Sequence, residues 1–121
     1  MSGTMPAMLV LLVDGVVSKE FPLDKPRLTI GRRSGNDVRI EDVAVSGNHA
    51  RILVTPNAYL DGVEDIFIED LDSTNGTRVN GEPITRARLN HNDTIQIGWN
   101  TFKLIDERQA SHERTAYIVQ E

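Results

Sequence analysis

The chain of 121 residues contains no cysteine, which excludes disulfide bridges and thiolate metal sites. Aromatic residues make up 5% of the chain and apolar residues 39%, so a core must come mainly from valine, isoleucine and leucine. No apolar run reaches the roughly 18 residues that a membrane-spanning helix needs. These absences favour a cytoplasmic protein without membrane contact, and the composition suggests a bacterial source.

Positive charge is also scarce, because 13 lysines and arginines face 18 aspartates and glutamates, giving a net charge of −5. An acidic surface repels the phosphate backbone of nucleic acids, so we predict no nucleic-acid partner. Arg32, Arg33 and Arg39 nevertheless lie in one short segment. Because salt screens charges beyond about 8–10 Å, such a cluster can create a local anion site on an acidic protein.

The length is that of one domain, and polarity divides the chain into three parts. Residues 1–7 are mostly small or polar and predict a disordered lead. Residues 8–106 form the predicted domain. Residues 107–121 lose the apolar alternation, which indicates a polar tail or linker.

Short apolar runs separated by turn residues predict an all-β sandwich of roughly ten strands. Asp14-Gly15 and Asn80-Gly81 are strong signals for two-residue hairpin turns. The predicted strands are residues 8–13, 16–23, 27–30, 38–40, 49–55, 66–71, 77–79, 82–84, 94–98 and 101–105.

Three loops between these strands carry polar donors suited to an anion. They are residues 31–36, 46–49 and 72–77. A phosphate group offers three acceptor oxygens, and the planar fork of arginine can bind two of them at once. Serine and threonine hydroxyls and backbone N–H groups of tight loops supply further donors. Because loops of a sandwich gather at the ends of its sheets, these three can form one site.

Each of these residues also has an ordinary structural explanation. Glycines serve turns, surface arginines are usually solvated, and loop serines and threonines are common. His49 begins an apolar strand, so we expect it to be buried and to hold its loop by hydrogen bonds. The joint pattern of the three loops therefore carries the functional interpretation.

That pattern resembles the forkhead-associated (FHA) domain. The matching blocks, in order, are Gly31-Arg32, Ser46-x-x-His49, DLDSTNGTRVNG at residues 70–81 and DTIQIG at residues 93–98. The resemblance covers about residues 8–105. It implies an eleven-stranded β-sandwich of two twisted sheets that binds phosphothreonine-containing protein segments in Ser/Thr kinase signalling, without catalysis, cofactor or metal.

The resemblance also implies roles for individual residues. Arg32, Ser46 and Thr74 would contact the phosphate, and Asn75 would bind the peptide backbone. Structural roles, without contact to the phosphate, would fall to Gly31, His49 and Gly76. The peptide would also meet Gly47, Asn48, Arg33 and Trp99. The family favours phosphothreonine over phosphoserine because the extra methyl group packs in an apolar niche, worth about 1 kcal/mol.

One position departs from the family, which often has asparagine or arginine after the serine where this chain has Gly47. Either Asn48 replaces that contact or the contact is lost. Ala44 is not basic, so we expect no strong demand for aspartate three residues after the phosphothreonine. Trp99 is either an exposed apolar platform there or part of the core.

Three other functions compete with this one. Ser46 and His49 could form a nucleophile–base pair, but the sequence lacks a Gly-x-Ser-x-Gly elbow, and its three histidines have no metal-site spacing. A phosphate-independent protein–protein module using the sheet face remains open. So does self-binding through a phosphorylated terminal threonine, either Thr4 or Thr115.

Overall fold

The computed structural model describes residues 6–108, and these form eleven β-strands. The strands are β1 (Met8–Val13), β2 (Val16–Pro22), β3 (Arg27–Gly31), β4 (Val38–Arg39), β5 (Ala50–Pro56), β6 (Glu64–Asp70), β7 (Thr77–Val79), β8 (Glu82–Ile84), β9 (Arg86–Leu89), β10 (Thr94–Ile97) and β11 (Asn100–Ile105).

Two sheets make up the fold, and the all-β architecture expected from the sequence is confirmed. The six-stranded sheet has the order β2-β1-β11-β10-β7-β8, and the five-stranded sheet has the order β4-β3-β5-β6-β9. Neighbouring strands are antiparallel except for β3 and β4, which run parallel.

Alternation along the strands determines which side chains form the core. Ile95 and Ile97 of β10 are fully buried, whereas Gln96 between them is exposed. In β11, Phe102 and Leu104 are likewise buried. Since successive side chains point to opposite faces of a sheet, each strand gives one face to the core and the other to solvent.

Two hairpin turns follow the sequence signals directly. Asp14 and Gly15 have φ values of 53° and 78°, and Asn80 and Gly81 have values of 52° and 84°. Positive φ at both central residues is the signature of the type I′ turn, whose twist matches that of the flanking strands.

Apart from shifts of one or two residues at several strand ends, two features of the structure depart from the sequence prediction. Strand β9 has no counterpart in the sequence prediction, because its four residues include no β-branched or aromatic residue. Ala7, assigned to the disordered lead, is buried, and its carbonyl accepts a hydrogen bond from Leu23 N at 2.8 Å. Ala7, just before the predicted start of the domain at residue 8, thus packs against the sandwich.

The predicted C-terminal boundary and the two terminal threonines lie at or outside the limits of the described residues. Arg108 is the last described residue. Its Nη2 lies 3.3 Å from Glu64 Oε1 and its Nε lies 3.6 Å from Asp106 Oδ1, so contacts with the sandwich continue to that point. Thr4, Thr115 and most of the predicted tail at 107–121 lie outside the described residues. The domain limits of 8–106 stay a prediction.

Strand register brings the three polar loops to one end of the sandwich. Ile30 near the end of β3 pairs with Ala50 at the start of β5, which in turn pairs with Asp70 at the end of β6. In the other sheet, Thr77 pairs with Ile97 near the β10–β11 turn.

Within residues 6–108, no helix is long and apolar enough to cross a membrane.

Candidate functional site

The first loop leaves β3 where two backbones come very close together. A Cβ atom on Gly31 would collide with the backbone carbonyl of Gly47, so only glycine fits there. The side chain of Asn36 fixes the same contact by donating to Gly47 O at 2.8 Å and to Arg33 O at 3.0 Å. The first and second loops are thus joined before any ligand binds.

Arg32 is held at its base while the end of its side chain remains open. Its backbone N donates to Ser46 O at 2.9 Å, and its Nε donates to Val45 O at 3.0 Å. Within residues 6–108, neither terminal guanidinium nitrogen has a hydrogen-bond acceptor or a carboxylate partner. Both terminal nitrogens therefore keep donors for an anion in solvent.

His49 is fully buried and joins the second loop to the third. Its Nδ1 accepts a hydrogen bond from Ser46 N at 3.1 Å, and its Nε2 lies 2.9 Å from Gly76 O. These partners fit a neutral ring with the proton on Nε2, because Nδ1 faces a donor and Nε2 faces an acceptor. This is the geometry expected of a histidine that holds its loop.

Ser46 and Thr74 meet directly at the mouth of the site. Ser46 Oγ accepts a hydrogen bond from Thr74 N at 3.0 Å. That bond uses a lone pair of the serine hydroxyl and leaves its hydrogen free to donate. Neither this hydroxyl nor that of Thr74 donates to another described residue. The three residues predicted to contact phosphate thus lie together, each with an unused donor.

The third loop is organised by Asp70, which the sequence interpretation gave no role. Its carboxylate accepts hydrogen bonds from Ser73 N at 3.0 Å, Ser73 Oγ at 2.5 Å and Thr77 Oγ1 at 2.7 Å. Burial raises the pKa of Asp70, but the hydrogen bonds from Ser73 and Thr77 outweigh it and hold the pKa below its ordinary value. Asp70 therefore stays ionised beneath the loop.

A second carboxylate, Asp42, has a similar role outside the phosphate loops. It accepts hydrogen bonds from Ala44 N at 2.8 Å and from Trp99 N and Asn100 Nδ2, both at 3.0 Å. The bonds from Trp99 and Ala44 lower the pKa of Asp42. Asp42 thereby ties the β4–β5 loop to the β10–β11 turn, although Trp99 is 57 residues away in sequence.

The sequence left Trp99 either exposed or in the core, and the contact at Gly47 either replaced by Asn48 or lost. The structure decides the first question and bears on the second. Trp99 is 88% exposed, so it is no part of the core. Arg33 lies over Gly47, where an added Cβ would be 2.8 Å from Arg33 Nε. Asn48 is exposed, and its side chain forms no hydrogen bond within the described part of the chain. Arg33 thus occupies the space that a side chain at position 47 would fill.

Asn75 is next to these groups but already has a partner. Its Nδ2 donates to Ala44 O at 2.9 Å, while its carbonyl oxygen has no partner among the described residues. Gly76 adopts a φ of 85°, which explains glycine after the asparagine.

Among residues 6–108, no cluster of histidine, aspartate or glutamate has the arrangement of a metal site.

Comparison with known proteins adds a family to this geometry. Residues 28–98 match the sequence model of the FHA domain. The chain belongs to the FHA family. This membership confirms the resemblance drawn from the sequence.

Two curated relatives are bacterial regulators. The glycogen accumulation regulator GarA of Mycolicibacterium smegmatis is 36% identical over 99 residues, covering 82% of this chain and 57% of the relative. The oxoglutarate dehydrogenase inhibitor of Corynebacterium efficiens is 34% identical over 99 residues, covering 82% and 63%. The chain thus spans about three fifths of the length of these relatives.

A solved structure agrees in fold. It belongs to a study of phosphothreonine-dependent FHA domain interactions, and its superposition has a TM-score of 0.68 at 30% sequence identity. The superposition covers 82% of this chain and 94% of that one.

Proposed function

We propose that this domain binds phosphothreonine-containing protein segments through Arg32, Ser46 and Thr74, with Asn75 holding the peptide backbone. The observation that supports this most is the set of unused donors at one point. The terminal nitrogens of Arg32 and the hydroxyls of Ser46 and Thr74 have no acceptor within residues 6–108. Donors without inward-facing acceptors are what a dianionic phosphate requires.

The remaining site residues act on the peptide or on the loops in this proposal. Arg33, placed over Gly47, reaches the peptide beside the phosphate. It supplies the contact for which the sequence left two alternatives, replacement by Asn48 or loss. Gly31, His49 and Gly76 set the shape of the loops. Trp99, exposed next to the loop of Ala44, contacts residues that flank the phosphothreonine.

The proposed function is binding without catalysis. In a serine nucleophile activated by histidine, the hydroxyl bonds to an imidazole nitrogen. Here His49 Nδ1 accepts from the backbone N of Ser46, and the Ser46 hydroxyl accepts from Thr74 N. The curated relatives are named as a regulator and an inhibitor, which agrees with this proposal.

The chemistry of the site defines the class of partner that the whole protein would bind. We propose a cytoplasmic protein that is phosphorylated on threonine by a Ser/Thr kinase. The protein's own Thr4 or Thr115, on the same or a second copy, has the right chemistry as well.

Binding to a degenerate phosphothreonine peptide library tests this function. We expect Arg32→Ala to lower affinity at least about thirtyfold, since removing one partner of a hydrogen-bonded charge pair costs 2 kcal/mol or more. Arg27→Ala is the matched control, because Arg27 is exposed at the opposite end of β3 from Arg32. Equal binding by Arg32→Ala, or by the library after phosphatase treatment, would contradict the proposal. The latter result would favour a phosphate-independent module.

A further inference from the structure

The outer face of the five-stranded sheet carries a net positive charge on an acidic chain. Along β3, β5, β6 and β9, the charged side chains that point away from the core are four arginines and two carboxylates, so the local charge is +2 on a chain with a net charge of −5. A positive region of this kind is complementary to an acidic partner. The six residues are Arg27, Arg51, Arg86, Arg88, Asp65 and Glu69.

The carboxylates on this face do not balance its arginines. Arg51 and Arg86 share the carboxylate of Glu69, whose oxygens lie 2.8 Å and 3.1 Å from their Nε atoms. Arg27 forms no ion pair with any carboxylate of residues 6–108. One carboxylate between two arginines, together with the unpaired Arg27, leaves two positive charges for carboxylates from outside the chain.

Strand register places two apolar side chains between arginines. Leu53 of β5 pairs with Phe67 of β6, and both keep part of their surface in solvent. Arg27 pairs with Leu53 on one side, and Arg88 pairs with Phe67 on the other. The row across four strands is therefore arginine, leucine, phenylalanine, arginine. Neighbouring strands lie about 4.8 Å apart, so the backbones of the two arginines are separated by roughly 14 Å.

The cations on the β9 side of this row are held in place. Arg88 Nη2 lies 2.8 Å from Asp65 Oδ1, and the guanidinium carbon of Arg86 lies 4.3 Å from the centre of the Phe67 ring. An arginine over an aromatic ring is attracted to the ring face. The arginines beside the apolar pair are thus positioned before a partner binds, which lowers the entropy that binding costs.

These dimensions match an amphipathic helix that lies along the strands. A helix with its side chains is about 10–12 Å wide, so a helix centred on Leu53 and Phe67 has the arginines of β3 and β9 at its two flanks. Helices commonly cover the partly apolar face of a sheet. Strands β5 and β6 each have seven residues, a length of about 24 Å that about 16 helical residues span.

We propose that the outer face of the five-stranded sheet binds an acidic amphipathic helix of a partner protein, whose apolar stripe packs on Leu53 and Phe67. Glutamates or aspartates on the two flanks of the helix pair with Arg27 and Arg88. This surface goes beyond the proposed function and is separate from the phosphate loops, since Arg27 lies at the opposite end of β3 from Arg32. Binding here requires no phosphate.

The probe is a synthetic peptide of about 16 residues built from leucine, alanine and glutamate, with the leucines in one helical stripe and glutamates on both sides. Fluorescence anisotropy of the labelled peptide measures its affinity for each protein. We expect wild type to bind, and Arg27→Gln and Arg88→Gln each to lower the affinity about two- to fivefold, the range of an exposed ion pair. Arg78→Gln is the matched control, because it removes an exposed arginine from the other sheet and leaves the affinity unchanged.

Two further peptides control for the chemistry of the probe. One has lysine in place of every glutamate, and the other has the same composition with its stripe scrambled, and both should bind far more weakly than the probe. The decisive variant is Arg27→Gln, since Arg27 has no ion pair within residues 6–108 whose loss could unfold the domain.

No binding of the probe by wild type, equal binding of the scrambled peptide, or unchanged affinity in Arg27→Gln overturns the proposal. A double-stranded DNA fragment that binds more tightly than the probe, with the same dependence on Arg27, also overturns it and assigns the face to nucleic acid. The probe carries no phosphate, so each of these results leaves phosphothreonine binding standing. Failure of the proposed function would likewise leave this surface standing.

Discussion

The phosphate loops and the neighbouring groove differ in how their side chains are held. Around Ser46 and Thr74, buried His49 and largely buried Asp70 bind the backbone from below. In the groove, which Asn75, Arg78, Gln96 and Trp99 line, Trp99 and Arg78 are exposed. Trp99 is held only through its backbone N, and the side chain of Arg78 by one hydrogen bond to Gly81 O. Loops that are ordered before binding lose little further entropy when the ligand arrives.

This difference suggests a division of work between the two regions. In the proposed function, a fixed set of donors supplies affinity for the group that every ligand shares, the phosphate. Exposed side chains on an ordered sheet can differ between family members without disturbing that set. We therefore expect substitutions beneath the loops to change stability and binding together, and substitutions in the groove to change selectivity alone.

Removing the buried histidine should have the largest effect. His49→Ala leaves a cavity and removes the partners of Ser46 N and Gly76 O, so we expect a loss of about 3 kcal/mol in the free energy of unfolding. Urea denaturation measures this loss. A change below about 1 kcal/mol would show that the loops do not depend on His49.

A methyl group at the contact between the first two loops should be nearly as harmful. The added Cβ of Gly31→Ala meets the Gly47 backbone, so we expect a cost of about 1–3 kcal/mol. Gly35→Ala is the control in the same loop, since its Cβ would have no neighbour within 4 Å. Equal melting temperatures for the two variants would contradict the predicted close contact.

The stability lost in Asp70→Asn should depend on pH, because the substitution removes the carboxylate beneath the third loop. The pKa of Asp70 is lowered in the folded state, so its contribution is complete above the ordinary value of 3.8 and disappears as the pH falls through the folded value. At neutral pH we expect a loss of about 1–2 kcal/mol, as three donors lose a charged acceptor.

Denaturation across pH measures this effect. The difference in stability between wild type and Asp70→Asn should shrink below about pH 4. A difference that stays constant to lower pH would show that the charge of Asp70 contributes nothing.

The smallest effect is expected at Asp42, on the groove side. Asp42→Ala frees the β10–β11 turn without touching the phosphate donors, so affinity should change less than about threefold. Trp99 is the only tryptophan of the chain, and its fluorescence anisotropy should fall as the turn loosens. Loss of phosphate-dependent binding in this variant would erase the proposed division between the two regions.

Local signals explain why much of the fold could be predicted from the sequence. Asn80-Gly81 predicts a type I′ turn because few other pairs accept positive φ at both positions. Strand β9 carries no comparable signal. Its place beside β6 comes from tertiary pairing, such as Ile68 with Ala87, which strand preference does not encode.

The site shows the same limit. Arg32, Ser46 and Thr74 could be named because their chemistry suits an anion and their spacing resembles a family. Asp42 could not, since its partner Trp99 is distant in sequence and an aspartate in a loop is ordinary. The position of Arg33 over Gly47 was also hidden, because it depends on the close approach of two loops.

Calorimetric titration of one library-selected peptide, in its phosphothreonine and unphosphorylated forms, tests the central claim most directly. We predict that wild type and Arg27→Ala bind the phosphorylated form only, and that Arg32→Ala loses this binding while it remains folded. Binding of both forms by wild type, or undiminished binding by Arg32→Ala, would contradict the account.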